Sequence, residues 1–367
     1  MVEAFATLTG DPGRIHEEGM ASRVALEQAR EQVAALLGAR SREVVFTSGA
    51  TESIAAAVFG AAERARARGV LGDDGRTHQV VTAVEHSAVR FDAERSGRVT
   101  VVPVDGHGRV DPGAVVDAIA PDTAVVHVQW GNHEVGTVQP VAEVVAACRE
   151  RGVLVHVDAA QAAGRVPIAF DDLGADLLSI SGHKLGGPAG TGALLIRRGL
   201  RLAPLLLGGD QERARRAGLE PVAALVGLGA AADEVAGALP AESERSAAQA
   251  NRIRGAVDDL DGVTPFGDPV HRLPHLVCVG IDGVEPQGVL LGLDRAGIAA
   301  HSGSACATES LEPSPVLEAM GVDAHRSLRI SVGWNTTDAD IDQLLAALPA
   351  TIDRLRALGA STSDGSG

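Results

Sequence analysis

Apolar positions in the first two thirds of the chain fall into short valine-rich runs separated by stretches of helical spacing. Over 20–37 they recur as Val24, Leu26, Ala29, Val33, Leu36 and Leu37, one face of a helix that Gly38 can close. Glu43-Val-Val-Phe46 reads as a strand, and Thr47-Ser48-Gly49-Ala50-Thr51-Glu52-Ser53 leads from it into an alanine-rich helix ending near Arg68. Further strands are expected at 79–82, 101–104, 124–128, 153–157 and 193–196, with helices opening near Glu85-His86-Ser87 and over 111–119. Such alternation specifies βαβ units and a mainly parallel sheet, whose ligands gather at the carboxyl ends of the strands. Those ends carry Thr47 to Thr51, His86, Asn132-His133-Glu134, Asp158 and His183-Lys184.

Beyond residue 222 the pattern changes. A helical stretch to 260 is interrupted by Pro240, a candidate hinge, and is followed by a strand at 276–279, a helix at 285–296, a strand at 328–331 and a helix at 338–358. The expected division is a large α/β domain over 1–235 and a small α+β domain over 236–360, with the polar tail 361–367 disordered.

At 367 residues and 45% hydrophobic, the chain can bury a large core. Its net charge of -16 argues against a nucleic-acid partner. No unbroken apolar run approaches a membrane span, and Glu3 with no basic region is unlike a signal peptide, so a cytoplasmic protein without a membrane partner is expected. Three widely spaced cysteines, Cys148, Cys278 and Cys306, form neither a disulfide framework nor a zinc pattern, and no metal is expected.

Among 32 basic residues there is one lysine, Lys184, in Ser-Ile-Ser-Gly-His-Lys. Arginine stays protonated, whereas a desolvated lysine amine can attack a carbonyl and hold it as a Schiff base, the task of a pyridoxal phosphate lysine. Survival by chance in an arginine-rich composition is the alternative. The strand-glycine-helix passage at 47–53 can point backbone N–H groups at a phosphate, or be an ordinary junction. Asp158, at the end of a strand, either faces a cation such as a protonated pyridine nitrogen or caps the next turn.

Taken in order, Ser-Gly-Ala-Thr-Glu-Ser (48–53), Glu-His (85–86), Asp-x-x-Gln (158–161), Ser-Gly-His-Lys (181–184), Ser-Gly-Ser-Ala-Cys (302–306) and Ser-Leu-Glu-Pro-Ser (310–314) resemble the cysteine desulfurases, enzymes of the class V aminotransferase fold that depend on pyridoxal 5'-phosphate. The Gly-Ser-Ala-Cys form resembles the group whose cysteine lies on a longer mobile loop. The resemblance implies an aspartate-aminotransferase-like large domain, L-cysteine as substrate, a homodimer, and delivery of sulfur to an acceptor protein. Position by position it implies Lys184 as the Schiff-base lysine, Asp158 as partner of the pyridine nitrogen, Gln161 as partner of the phenolic oxygen, and His86 stacked on the ring and moving protons. Ala50, Thr51, Ser181 and His183 would hold the phosphate, Arg329 the substrate carboxylate, and Cys306 would take the sulfur as a persulfide. His133 stands where the family has an asparagine that contacts substrate, Arg216-Ala-Gly-Leu219 replaces an Arg-Ser-Gly-Thr stretch, and an opening Asn-Ala-Ala-Thr-Thr-type segment is missing. Selenocysteine or cystine as substrate, and a cofactor-binding scaffold with little turnover, are the alternatives.

Overall fold

The structure, a computed structural model, describes residues 1–302 and 313–363. Cys306 and the last four residues lie outside the described residues. The chain divides into two compact units, one of Met1–Val102, Val110–Trp130 and Pro140–Leu239, the other of Pro103–Arg109, Gly131–Gln139 and Pro240–Gly367.

In the first unit the order is α1 (Val2–Thr7), α2 (Glu17–Leu36), β1 (Val44–Thr47), α3 (Ala50–Ala67), β2 (His78–Thr82), α4 (Ser87–Ser96), β3 (Arg98–Val102), α5 (Pro112–Asp117), β4 (Thr123–Gln129), α6 (Val141–Arg151), β5 (Leu154–Asp158), α7 (Phe170–Leu173), β6 (Leu177–Ser181), β7 (Gly192–Ile196) and the short turn α8 (Gln211–Ala214), with α9 (Val222–Asp258) starting here. One sheet of order β1-β7-β6-β5-β4-β2-β3 runs through it. Strands β6, β5, β4, β2 and β3 are parallel, while β7 is antiparallel to both β1 and β6. Every residue of β1, β2, β4, β6 and β7 is buried, as continuous apolar runs covered on both faces require.

The edge strand β3 departs from the sequence expectation of 101–104. It pairs with β2 from Arg98 to Val102 and stops before Pro103, which has no N–H for the ladder. Its first four residues are not buried, so no apolar run announced them.

The second unit holds the rest of α9, then β8 (Val263–Phe266), β9 (Leu276–Ile281), α10 (Pro286–Arg295), β10 (His301–Ser302), α11 (Pro315–Ala319), β11 (Ser327–Ser331) and α12 (Asp338–Ser363). Its antiparallel sheet has the order β10-β11-β9-β8, and Ile253, Val277, Val279, Leu293, Leu328 and Leu344 form the centre of its core.

Two expectations for this half are corrected. Pro240 does not interrupt the helix, because it is exposed and the carbonyl it leaves unpaired can meet water, although the unit boundary does fall there. Helix α12 runs to Ser363, into the tail expected to be disordered, since no glycine or proline stops it between 360 and 363. By length and composition α9 is also apolar enough to cross a membrane, with mean hydropathy 1.6 over 18 residues. The adjacent Asp233 and Glu234, which broke the apolar run in the sequence, and the inward face of Leu225, Leu228 and Ala232 fit a core helix better.

Beneath the strand ends β4 and β5 carry two fully buried histidines, His127 and His156, which are register partners. Their Nδ1 atoms are 3.0 Å apart, His127 Nε2 is 2.9 Å from Gln79 Oε1 and His156 Nε2 is 2.8 Å from Ser179 Oγ. Gln79 Oε1 can only accept, so the chain is consistent when Ser179 donates to His156, His156 to His127 and His127 to Gln79, with both rings neutral. Burial pushes both pKa values down, His156 to about 3 and His127 well below its ordinary value with the neighbouring ring as second cause.

Unfolded, each ring takes a proton near pH 6.5, so acidification below that value favours the unfolded chain until the folded values are reached. At pH 5 unfolding should take up two protons from this pair, a loss of about 2.7 kcal/mol per pH unit. Urea midpoints between pH 7 and 5 measure it, and His156→Gln should halve the slope. A midpoint independent of pH over that range would show that the rings are not neutral in the folded state.

Candidate active site

The registers Thr47↔Gly192 and Ser181↔Gly192 put the end of β1, the start of β7 and the end of β6 side by side. The next pairings, Asp158↔Ser179 and Gln129↔Asp158, continue the row along the same edge. With strands about 4.8 Å apart, Thr47 and Ser181 are about 10 Å from each other across Gly192. Only glycine fits at 192, because a Cβ there would stand 2.6 Å from the Gly49 Cα.

Gly49 (φ 154°) is the N-cap of α3, so the first helical amides, at Ala50 and Thr51, have no partner within the helix. Thr47 Oγ1 lies 2.8 Å from Ser53 Oγ and donates to the Gly49 carbonyl at 3.1 Å, which fixes the turn. Glu52 fastens it from outside: its carboxylate accepts the Ser48 N–H at 2.9 Å and the Arg216 Nε–H at 2.8 Å. Burial alone would raise the Glu52 pKa, but the bonds from Arg216 and Ser48 outweigh it and hold the carboxyl below its ordinary value.

At the end of β5 Asp158 is 7% exposed, its Oδ1 accepts the Ala160 N–H at 2.9 Å, and its carbonyl accepts the Trp130 N–H. The turn-capping role is therefore real, and Gln161 follows, half-buried, three residues on. His86 is the N-cap of α4; its Nδ1 accepts the Ala88 N–H at 3.1 Å, so in the neutral ring the proton is on Nε2. The preceding Glu85 is buried and accepts from Thr82 Oγ1 at 2.6 Å and from the Gln129 N–H at 2.9 Å, which ties the ends of β2 and β4 together under His86.

Lys184 stands in a 3-10 turn, Gly182–Leu185, directly after the buried β6, and its side chain is exposed. Next to it Ser181 Oγ and His183 Nδ1 are 2.9 Å apart. Partial desolvation, and after it the Lys184 charge, push the His183 pKa down. The first unit thus brings Ala50, Thr51, His86, Asp158, Gln161, Ser181, His183 and Lys184 to one edge of one sheet.

His133 and Arg329 belong to the second unit, although the sequence placed Asn132-His133-Glu134 with the strand ends of the first. Arg329 donates through Nη1 to the His133 carbonyl at 3.0 Å, and His133 Nε2 is 3.4 Å from Glu134 Oε1. Asn132 Oδ1 shapes this turn by accepting the N–H groups of Glu134 and Val135 at 2.8 and 2.9 Å. The described residues that flank residues 303–312 make their contacts within this unit. Before them, His301 and Ser302 pair with Arg329 and Leu328; after them, Ser314 Oγ donates to the Glu134 carboxylate. Cys148 and Cys278 are buried, and burial pushes both thiols up to about 12.

Residues 1–344 match the family Aminotransferase class-V. A cysteine desulfurase of Gluconacetobacter diazotrophicus is 41% identical, over 97% of this chain and 90% of the relative. Among solved structures, a NifS-like protein superposes with TM-score 0.87 at 29% identity, covering 96% of this chain and 94% of its own. Another, SspA in complex with cysteine, has TM-score 0.76 at 31% identity, covering 90% and 92%. The chain belongs to the class-V aminotransferases and, within them, to the cysteine desulfurases.

Proposed function

We propose that the chain uses pyridoxal 5'-phosphate to convert L-cysteine to L-alanine, taking the sulfur onto Cys306 as a persulfide and passing it to an acceptor protein, and that it works as a homodimer. The observation that carries the reading is the chain's one lysine, placed at the end of β6 on the same sheet edge as a buried carboxylate and an open helix N-terminus. The donor set fits the cofactor: the amides of Ala50 and Thr51 with Ser181 and His183 suit a phosphate, Asp158 a ring nitrogen, Gln161 a phenolic oxygen and Lys184 an aldehyde. When bound, the cofactor supplies an electron sink.

The protein's own groups do the rest. The Asp158 carboxylate keeps the ring nitrogen protonated, and its bond from Ala160 holds it in place. His86, with the proton on Nε2, and the Lys184 amine move protons. The Arg329 guanidinium, steadied through Nη1 by the His133 carbonyl, takes the substrate carboxylate. Attack by the Cys306 thiolate forms the S–S bond as the substrate C–S bond breaks; the electron pair stays with carbon, which is protonated to become the methyl group of alanine.

Incubation of the purified protein with L-cysteine and a reductant should give alanine and sulfide in equal amounts. Selenocysteine and cystine, tested alongside, should be poorer substrates. Cofactor absorbance without alanine release would make the chain a binder instead of an enzyme.

A further inference from the structure

A cavity of about 740 Å³ in the first unit is lined from three separate segments, 40–43, 196–202 and 213–215, and seven of its lining residues are arginines. In a chain of net charge -16 such a concentration of positive charge is the exception. Three of the seven have carboxylate partners: Arg40 with Asp171 at 3.2 Å, Arg197 with Asp176 at 2.8 Å and Arg213 with Glu27 at 2.9 Å. The other four, Arg42, Arg198, Arg201 and Arg215, make no ion pair among the described residues. Among the described residues the one carboxylate in the lining, Glu43, is buried and already accepts the backbone N–H groups of Arg40 and Arg198.

The wall at 213–215 is built at a cost. Glu212, Arg213 and Ala214 have φ of 48°, 58° and 60°, left-handed backbone that non-glycine residues avoid. Glu212 anchors that turn from the other side, buried and accepting from Arg30 at 2.6 and 2.7 Å and from the Phe46 N–H at 2.8 Å. The turn leaves Arg213 and Arg215 on the cavity wall, where Arg215 donates to the Arg42 carbonyl at 2.6 Å and makes no ion pair among the described residues. Burial first, and the Arg213 charge second, push Arg215 below its ordinary pKa, although the Glu212 and Glu43 carboxylates pull the other way.

We infer that this cavity is a second ligand site, separate from the sheet edge that carries Lys184, and that it binds a small anion with two or more phosphoryl groups. Planar guanidinium forks pair two-pronged with phosphoryl oxygens. The volume is that of a small-molecule site, and guanidinium groups arriving from three segments surround a compact polyanion better than they follow an extended acidic chain. Among the described residues the lining contains no aromatic side chain, so a nucleobase would find no stacking platform there.

The test is titration calorimetry on the cofactor-loaded protein with tripolyphosphate, pyrophosphate, inorganic phosphate and ATP as probes. Tripolyphosphate should bind one per chain, about tenfold or more tighter than inorganic phosphate, with ATP within about threefold of tripolyphosphate and the visible absorbance of the cofactor unchanged. Arg198→Ala with Arg201→Ala should weaken it at least about tenfold, and Arg42→Ala alone should weaken it measurably. Both alter exposed, unpaired side chains, so the thermal midpoint should hold. The control pair Arg64→Ala with Arg68→Ala, on another basic surface cavity, should change nothing. Absence of saturable binding would overturn the inference, as would equal losses in both double variants. ATP binding more than about tenfold tighter than tripolyphosphate, or hexaglutamate binding tighter than either, would overturn the ligand class.

Discussion

Lys184→Ala protein should be colourless after purification with pyridoxal phosphate, and its turnover of L-cysteine should fall by about a thousandfold or more. Borohydride reduction of the unaltered protein should fix the cofactor on one peptide, the one containing Lys184, because the only other primary amine is the N-terminus. Lys184→Arg is the sharper variant. It keeps the positive charge beside His183 but not the chemistry, since a guanidinium does not give up its proton at neutral pH. Stability should hardly move in either variant, because the side chain is exposed and Gly182, not Lys184, is packed into the turn. Covalent attachment or full turnover by Lys184→Arg would remove Lys184 from the mechanism.

Five strands of the sheet were legible because they are short, largely buried and rich in valine, leucine or isoleucine, so they stand out as apolar runs between helices. β8 and β10 were not, since the first carries Pro265 and exposes Thr264 while the second is two residues long. Likewise α6 was passed over, although Val141, Val144, Val145 and Cys148 are at helical spacing on its buried face. Residues 103–109 and 131–139 join residues 240 onward in the second unit across gaps of 100 residues or more, and no local pattern encodes such a pairing.

For the candidate site, the sequence pointed to the groups suited to the cofactor and gave no role to the carboxylates beside them that hold the turns. Glu52 and Glu85 stood inside the quoted motifs without a role of their own, yet each fixes a turn by accepting bonds from two places. Glu52 had a local signal, a carboxylate in the first turn of a helix four residues after Ser48. Glu134 was noted among the polar groups near the strand ends, but its partner Ser314 is 180 residues away and no local pattern links the two. The arginine cavity was hidden for the same reason: arginines close in the chain, such as Arg64, Arg66 and Arg68, lie on a helix where Arg66 pairs with Glu63, and the larger concentration assembles only in the fold.

Cys306→Ser protein should keep the cofactor and its colour, bind L-cysteine, and release alanine and sulfide at least about a thousandfold more slowly. In the proposed mechanism holding and protonating the substrate falls to Lys184, His86, Asp158 and Arg329, whereas accepting sulfur needs a soft nucleophile. Serine is nearly isosteric, but its hydroxyl is a hard, weakly acidic one. Neither remaining cysteine can substitute. Cys148 and Cys278 are buried with thiols pushed up to about 12, so at pH 7.5 only a few in 100,000 would be thiolate. An ordinary thiol near 8.5 is thiolate at roughly one in ten at that pH, an advantage of more than a thousandfold before access is counted. Mass spectrometry of the unaltered protein after incubation with cysteine should therefore find one added sulfur on the peptide containing Cys306 and none on the peptides containing Cys148 or Cys278. The same added mass on Cys278, or full turnover by Cys306→Ser, would mean that sulfur leaves the substrate by another route, such as direct elimination to sulfide.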